Sequence, residues 1–197
     1  MIPLLFPIEN LPVPDIPSLS YIPDFITDKE DAHLISVIDS SQWIHDLKRR
    51  VQHYGYRYDY KSRQATKDTY IGPLPDWILP IAQKLTDDRI FPTLPEQVIV
   101  NEYLPGQGIS AHIDCVPCFG NVIVSLSLGS SCIMKFENIR LKDSQDLFLE
   151  PRSLAVFQDD ARHQWTHAIP GRKSDTINGT RIPRARRISL TFRTMIF

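Results

Sequence analysis

The chain predicts an α+β fold in which two helices buttress a sheet-rich C-terminal part, and three observations lead there. Beyond Pro95 the hydrophobic pattern breaks into seven short strand-like runs separated by Gly, Pro and polar residues, which is the signature of a sandwich or jelly roll. Ahead of Pro95, two segments carry apolar residues at helical spacing. No internal repeat or low-complexity tract interrupts this order. At 197 residues and 42% hydrophobic content the chain suffices for one well-buried core and is short for two, so a single domain over 1–197 is expected.

Residues 1–19 open with prolines at 3, 7, 12, 14 and 17 and contain no Lys or Arg. They read as an extended arm without the charged n-region of a signal peptide. From Ser20 a strand leads into a helix ending near Ser40, with Thr27 or Asp28 as N-cap and Leu34, Ile35 and Ile38 on its buried stripe. Gly72-Pro73-Leu74-Pro75 precedes a second helix, Asp76 to Leu85, with Trp77, Ile78 and Ile81 facing inward. The strands then expected are Val98–Tyr103, Val122–Leu128, Cys132–Phe136, Asp146–Leu149, Ser153–Gln158, His167–Ile169 and Arg187–Ile196.

Three residues stand out as metal ligands. In an extended strand His112 and Asp114 point to one side while Ile113 faces the other. A lone H-x-D is common by chance, but a second imidazole follows in Trp165-Thr166-His167. Two imidazoles and one carboxylate with open positions are the ligand set of non-heme Fe(II) oxygenases. His163, in a polar stretch beside Arg162 and Gln164, competes as third ligand, and His167 is preferred. In Arg187-Ile188-Ser189-Leu190-Thr191-Phe192-Arg193, alternation places Arg187, Ser189, Thr191 and Arg193 on one face. Two guanidiniums there could clamp a short dicarboxylate, or could blunt an exposed edge strand.

Taken together these residues resemble the AlkB family of Fe(II)- and 2-oxoglutarate-dependent dioxygenases. The matching motifs are Asn101-Glu102-Tyr103 with Leu104-Pro105-Gly106, His112-x-Asp114, Ser125-Leu126-Ser127-Leu128-Gly129, Trp165-x-His167 and Arg187-x5-Arg193. Arg49 to Tyr56 resembles the start of the family's nucleotide-recognition lid. The resemblance implies a double-stranded β-helix (jelly roll) at 97–197 and a lid at about 46–70. It also implies Fe(II) on His112, Asp114 and His167, and 2-oxoglutarate held by Arg187 with Tyr103 and by Arg193 with Asn101. Ser189 stands where founding members carry Asn, and its hydroxyl can still donate one hydrogen bond. O2 would convert 2-oxoglutarate to succinate and CO2 while a nearby substrate carbon is oxidised. An N-methyl group oxidised in this way leaves as formaldehyde; another carbon stays hydroxylated.

The net charge of −1 argues against strong nonspecific nucleic-acid binding, yet the charge is unevenly spread. Lys48, Arg49, Arg50, Arg57, Lys61, Arg63 and Lys67 face only Asp46, Asp59 and Asp68, and Tyr54, Tyr56, Tyr58 and Tyr60 are interleaved with them. Bases with aromatics hold phosphates and stack unpaired bases, although a hairpin packing its tyrosines on the core would show the same period. Arg49, Arg50, Tyr54, Tyr56 and Tyr58 are the substrate-contact candidates. Cys115, Cys118 and Cys132 are too few for an all-thiolate zinc site and read as reduced thiols in a cytoplasmic or nuclear protein. No segment approaches the roughly 18–20 apolar residues of a membrane span.

Demethylation of N-alkylated nucleobases in DNA or RNA is the leading expectation for this chain, acting as a monomer. Oxidation of a modified nucleoside in RNA or tRNA comes second, since Arg49–Tyr56 and Pro105-Gly106-Gln107-Gly108-Ile109 also resemble the tRNA wobble-uridine hydroxylase branch. Val116 replaces an acidic residue with which some DNA-repair members contact the flipped base. A catalytically silent jelly-roll module that binds nucleic acid is a third reading.

Overall fold

The computed structural model describes residues 12–197. In chain order the elements are β1 (Leu19–Ile22), α1 (Asp28–Ser40), β2 (Val51–Tyr54), a 3-10 turn (Lys67–Thr69), α2 (Leu79–Asp87), β3 (Gln97–Tyr103), β4 (Ile109–His112) and β5 (Phe119–Gly129). They continue with β6 (Cys132–Asn138), β7 (Ser144–Leu149), β8 (Leu154–Phe157), α3 (Asp159–His163), β9 (Trp165–Ile169), β10 (Ser174–Ile177), β11 (Thr180–Pro183) and β12 (Arg187–Met195). A six-stranded sheet, β1-β8-β5-β12-β3-β2, faces a four-stranded sheet, β4-β9-β6-β7, and β10–β11 forms a separate hairpin. The fold is the jelly roll expected from the short-strand pattern.

Strand alternation sorts the core into two layers. Ile188, Leu190 and Phe192 of β12 join Val98, Val100, Val124 and Leu126 under α1 and α2, whose Leu34, Ile38, Ile81 and Leu85 complete that cluster. The other face of the large sheet supplies Ile123, Ala155 and Phe157, which pack with Met134, Phe136, Leu147 and Leu149 of the small sheet. The polar face of β12 therefore points between the sheets, and Arg187, Ser189 and Arg193 are buried there.

Thr27 is the N-cap of α1: its Oγ1 accepts from the Glu30 amide, and its own N–H donates to Glu30 Oε2 at 2.7 Å, a closed capping box. The second helix starts at Leu79 rather than Asp76: in a helix begun at Asp76, Pro80 would lack the N–H for the Asp76 carbonyl and its ring would clash there, whereas in the first turn from Leu79 that N–H is not needed. The β10–β11 hairpin turns on Asn178 and Gly179, both at positive φ, the Asn-Gly two-residue turn. Of the proline-rich arm, residues 1–11 lie outside the described residues and 12–18 form no helix or strand. Among the described residues no helix is long and apolar enough to cross a membrane.

Candidate metal centre and cosubstrate pocket

Antiparallel β4 and β9 place His112 directly opposite His167, with ring centroids 4.4 Å apart. Asp114 lies just past the end of β4, and one ligand atom from each of the three residues falls within 4.8 Å of the others. His112 Nδ1 sits 2.8 Å from the Ser110 carbonyl, which can only accept, so the proton belongs on Nδ1 and Nε2 is left as the ligand atom. His167 stacks on Phe157 at 5.2 Å. Burial pushes its imidazole down to about 3, with His112 adding to the effect, so it is neutral at pH 7. Burial works against the charge on Asp114, but Arg193, then His167 and His112, outweigh it and hold the carboxyl well below the usual carboxylate range. His163 is elsewhere: it lies on α3 with Nε2 at 3.1 Å from Asn121 Oδ1.

The cavity containing this cluster has a volume of about 450 Å³. Arg49, Arg63, Arg187 and Arg193 line it, and Asp114 is the single lining carboxylate among the described residues. Arg193 donates to Asp114 Oδ1 at 3.2 Å and to Gln97 Oε1 at 2.9 Å. Six residues along β12, Arg187 donates to Ser127 Oγ at 2.8 Å and lies 5.5 Å from the Tyr103 ring centroid. Ser189, between them, is in register with Asn101 on one side and Ser127 on the other. Arg187 Nε and Nη1, Arg193 Nε and Asp114 Oδ2 are buried without a hydrogen-bond partner. Buried polar atoms are normally satisfied, so this set marks where ligands belong: anion acceptors at the arginines, and a cation at Asp114. An iron ion and a dianionic cosubstrate fit these demands.

The substrate-contact candidates divide. Arg49 and Tyr58 line the cavity; Arg50, Tyr54 and Tyr56 do not. Arg50 turns outward, paired with both oxygens of Glu102 and lying 4.3 Å over Trp43. Tyr54 packs edge-on against Trp77 in the helix-side core, and its hydroxyl donates to Gln52. Tyr56 packs between Tyr70 and Phe197. The four tyrosines do not share a face because β2 ends at Tyr54 and Gly55 takes φ +77°, where a Cβ would meet the Glu96 carbonyl at 1.8 Å.

Sequence reasoning missed several site residues. Arg162 of α3, buried, donates to the carbonyls of Asp114 and Cys115 and so clamps the loop carrying the carboxylate ligand. Tyr60 lines the cavity beside Tyr58 at 5.2 Å, with His53 edge-on at 5.6 Å. No local pattern signals Arg162; Tyr60 was visible only as one member of the tyrosine run. The expectation of reduced thiols is corrected for two of the three cysteines. Cys115 and Cys118 form a disulfide, since a tight turn from Cys115 to Phe119 brings their Cα atoms to 5.3 Å, and Cys132 stays free and buried.

Residues 18–193 match the 2OG-Fe(II) oxygenase superfamily. The chain belongs to the AlkB family of these oxygenases. It is 40% identical to "Uncharacterized protein L905" of Acanthamoeba polyphaga mimivirus, over 90% of this chain and 84% of that protein. It is 36% identical to "Alkylated DNA repair protein ALKBH8 homolog" of Arabidopsis thaliana, covering 91% of this chain and 58% of the relative. To the mouse "tRNA (carboxymethyluridine(34)-5-O)-methyltransferase ALKBH8" it is 36% identical, over 88% of this chain but only 26% of that protein. The solved structure of OsALKBH1 shares the fold, with TM-score 0.71 at 18% identity over 90% of this chain and 97% of that one. As an AlkB dioxygenase the protein uses Fe(II), 2-oxoglutarate and O2.

Proposed function

We propose that this AlkB dioxygenase oxidises a substituent on a modified nucleobase in RNA, with tRNA as the leading substrate. The observation that carries the cosubstrate half is the pair of buried guanidiniums with unpartnered N–H groups on the β12 face of the large sheet, lining the same cavity as the metal-ligand cluster of the small sheet. His112, through Nε2, His167 and Asp114 would hold Fe(II). Arg187, with Tyr103, Ser127 and Ser189, takes the far carboxylate of 2-oxoglutarate; Arg193, with Asn101, steadies the metal-proximal end. Bound together with O2, iron and cosubstrate supply oxidation of a C–H bond with formation of succinate and CO2.

The protein's own share is placement. Arg193 keeps Asp114 ionised, and Arg162 holds the ligand loop so that the carboxylate need not reorganise on metal entry. The 46–70 segment serves as a recognition lid over the 97–197 jelly roll, within one monomeric domain. Tyr58 and Tyr60, backed by the buried His53, form an aromatic wall suited to stack an unpaired base, with Arg63 near for phosphate. RNA comes ahead of DNA in this reading because the mouse relative is named for a tRNA uridine and because Val116, half exposed, offers no carboxylate to a flipped base. The Arabidopsis relative's name supports the second reading, demethylation of N-alkylated DNA bases.

The test is parallel incubation of the Fe(II)-loaded enzyme, 2-oxoglutarate and air with total tRNA and with N-methylated single-stranded DNA, followed by nucleoside mass spectrometry. One added oxygen on a tRNA nucleoside is expected. Methyl loss from DNA with unchanged tRNA would replace the RNA reading by the repair reading.

A further inference from the structure

Arg49 belongs to the segment expected to touch nucleic acid, yet its side chain points to the other ligand. Its Nε donates to Asn101 Oδ1 at 2.9 Å, and its guanidinium carbon lies 5.8 Å from the centroid of Tyr103. Arg187 lies 5.5 Å from the centroid of the same ring. One tyrosine ring thus has two guanidiniums close by, in a cavity whose single carboxylate among the described residues, Asp114, is already paired with Arg193. Among the described residues neither Arg49 nor Arg187 has a carboxylate within ion-pair distance. Two like charges so placed repel, and an anion between the strand and the lid relieves both.

The main chain on either side of Arg49 is anchored. Gln107 Nε2 donates to the Lys48 carbonyl, Glu102 N–H to the Arg50 carbonyl, and Val51 bridges to Ile44. Arg49 is therefore the side chain through which the base of the lid reads the cosubstrate end of the cavity. Tyr58 and Tyr60, nine and eleven residues on, line the same cavity from the lid side.

We propose that Arg49 is a third cation for 2-oxoglutarate and couples the two ligands, so that cosubstrate binding sets the lid and tightens the nucleic acid. This rests on the cosubstrate and RNA assignments above. The cosubstrate holds Arg49 in the place it already takes, on Asn101 Oδ1 and beside Tyr103. That secures the base of the lid, from which Tyr58 and Tyr60 reach the cavity. By linkage the effect is reciprocal: bound nucleic acid must tighten 2-oxoglutarate by the same factor.

The experiment is calorimetric titration of 2-oxoglutarate into the Mn(II)-loaded full chain, which reads binding without turnover, first alone and then with saturating total tRNA. Loss of one charged hydrogen-bonding partner predicts that Arg49→Met weakens 2-oxoglutarate by about 10- to 100-fold in the first titration, with Arg49→Lys recovering part of it. In the second, tRNA should tighten 2-oxoglutarate by about 5- to 50-fold in the wild type and leave Arg49→Met unchanged. Wild-type affinity in Arg49→Met, or equal coupling in both proteins, would overturn the proposal. If the wild type fails to bind tRNA, the nucleic-acid reading and the coupling fall together, while the first titration still decides whether Arg49 holds the cosubstrate. Thermal unfolding of the ligand-free variants should match the wild type, which separates a cosubstrate role from a structural one.

Discussion

Replacing Arg187 by Met should have opposite effects on stability and on cosubstrate binding. The side chain is 2% exposed, makes one hydrogen bond, to Ser127 Oγ, and leaves Nε and Nη1 buried without partners. In the ligand-free protein this is a buried charge lacking a counter-ion, and Met fills similar volume without that cost. Exchanges of buried charge for apolar side chains are commonly neutral or stabilising by about 1–4 kcal/mol. With 2-oxoglutarate bound, the two unpartnered donors become charge-assisted hydrogen bonds. At about 1.5–3 kcal/mol each, their loss amounts to roughly 3–6 kcal/mol, or about 10²- to 10⁴-fold in affinity. Anaerobic titration of 2-oxoglutarate into metal-loaded protein measures the second quantity; urea unfolding in chelator measures the first. An Arg187→Met protein that binds 2-oxoglutarate within threefold of wild type would refute the reasoning. So would parallel losses of stability and binding, because Arg187 would then be a structural cation.

Arg184 provides the contrast, since its guanidinium pairs with both oxygens of Asp175, which is 1% exposed and also accepts from Arg172 and the Ile133 N–H; Arg184→Met should lower stability by about 1.5–3 kcal/mol in urea unfolding, because the buried carboxylate keeps Arg172 but loses its two-pronged partner. His112→Ala should abolish turnover with the far-ultraviolet circular dichroism spectrum unchanged, because the side chain lies at the cavity and outside both hydrophobic clusters; retained activity would remove it from the metal site. Burial, then Arg57 and Arg193, push His53 down to about 4, and its Nδ1 must stay unprotonated to accept the Tyr58 amide. The unfolded chain takes up this proton near pH 6.5 and the folded one only near 4, so the stabilisation is complete above pH 6.5 and is lost as pH falls toward 4. This histidine should therefore cost the chelated protein about 2 kcal/mol at pH 5 relative to pH 7.5, and His53→Gln should flatten the urea midpoint over that window.

What could be read from the sequence follows from which forces are local. The β12 alternation was legible because strand geometry sends every second residue to one face, and the helix-side partners of Ile188, Leu190 and Phe192 are apolar throughout. His112 and Asp114 were legible because two-residue spacing serves one ion even though β4 stops at His112. The tyrosine run misled because period 2 persists in sequence while Gly55 breaks it in space. Arg162 was hidden because its partners are backbone carbonyls 47 and 48 positions away, which leave no trace in residue type. The Asn178-Gly179 hairpin carries a plain turn signal between two short runs, but it lies outside the seven strands that the hydrophobic pattern predicts because those runs are too short and polar to stand out beside β12.

The central claim, that His112, Asp114 and His167 drive 2-oxoglutarate-dependent oxidation of an RNA base, is tested most directly by stoichiometry. Succinate and oxidised nucleoside are measured together in a reaction of Fe(II)-loaded protein, 2-oxoglutarate and total tRNA in air, for wild type and Asp114→Ala. The account predicts one succinate per oxidised nucleoside in the wild type and neither product in the variant. Succinate formed equally by both proteins, or oxidised nucleoside formed without succinate, would contradict it.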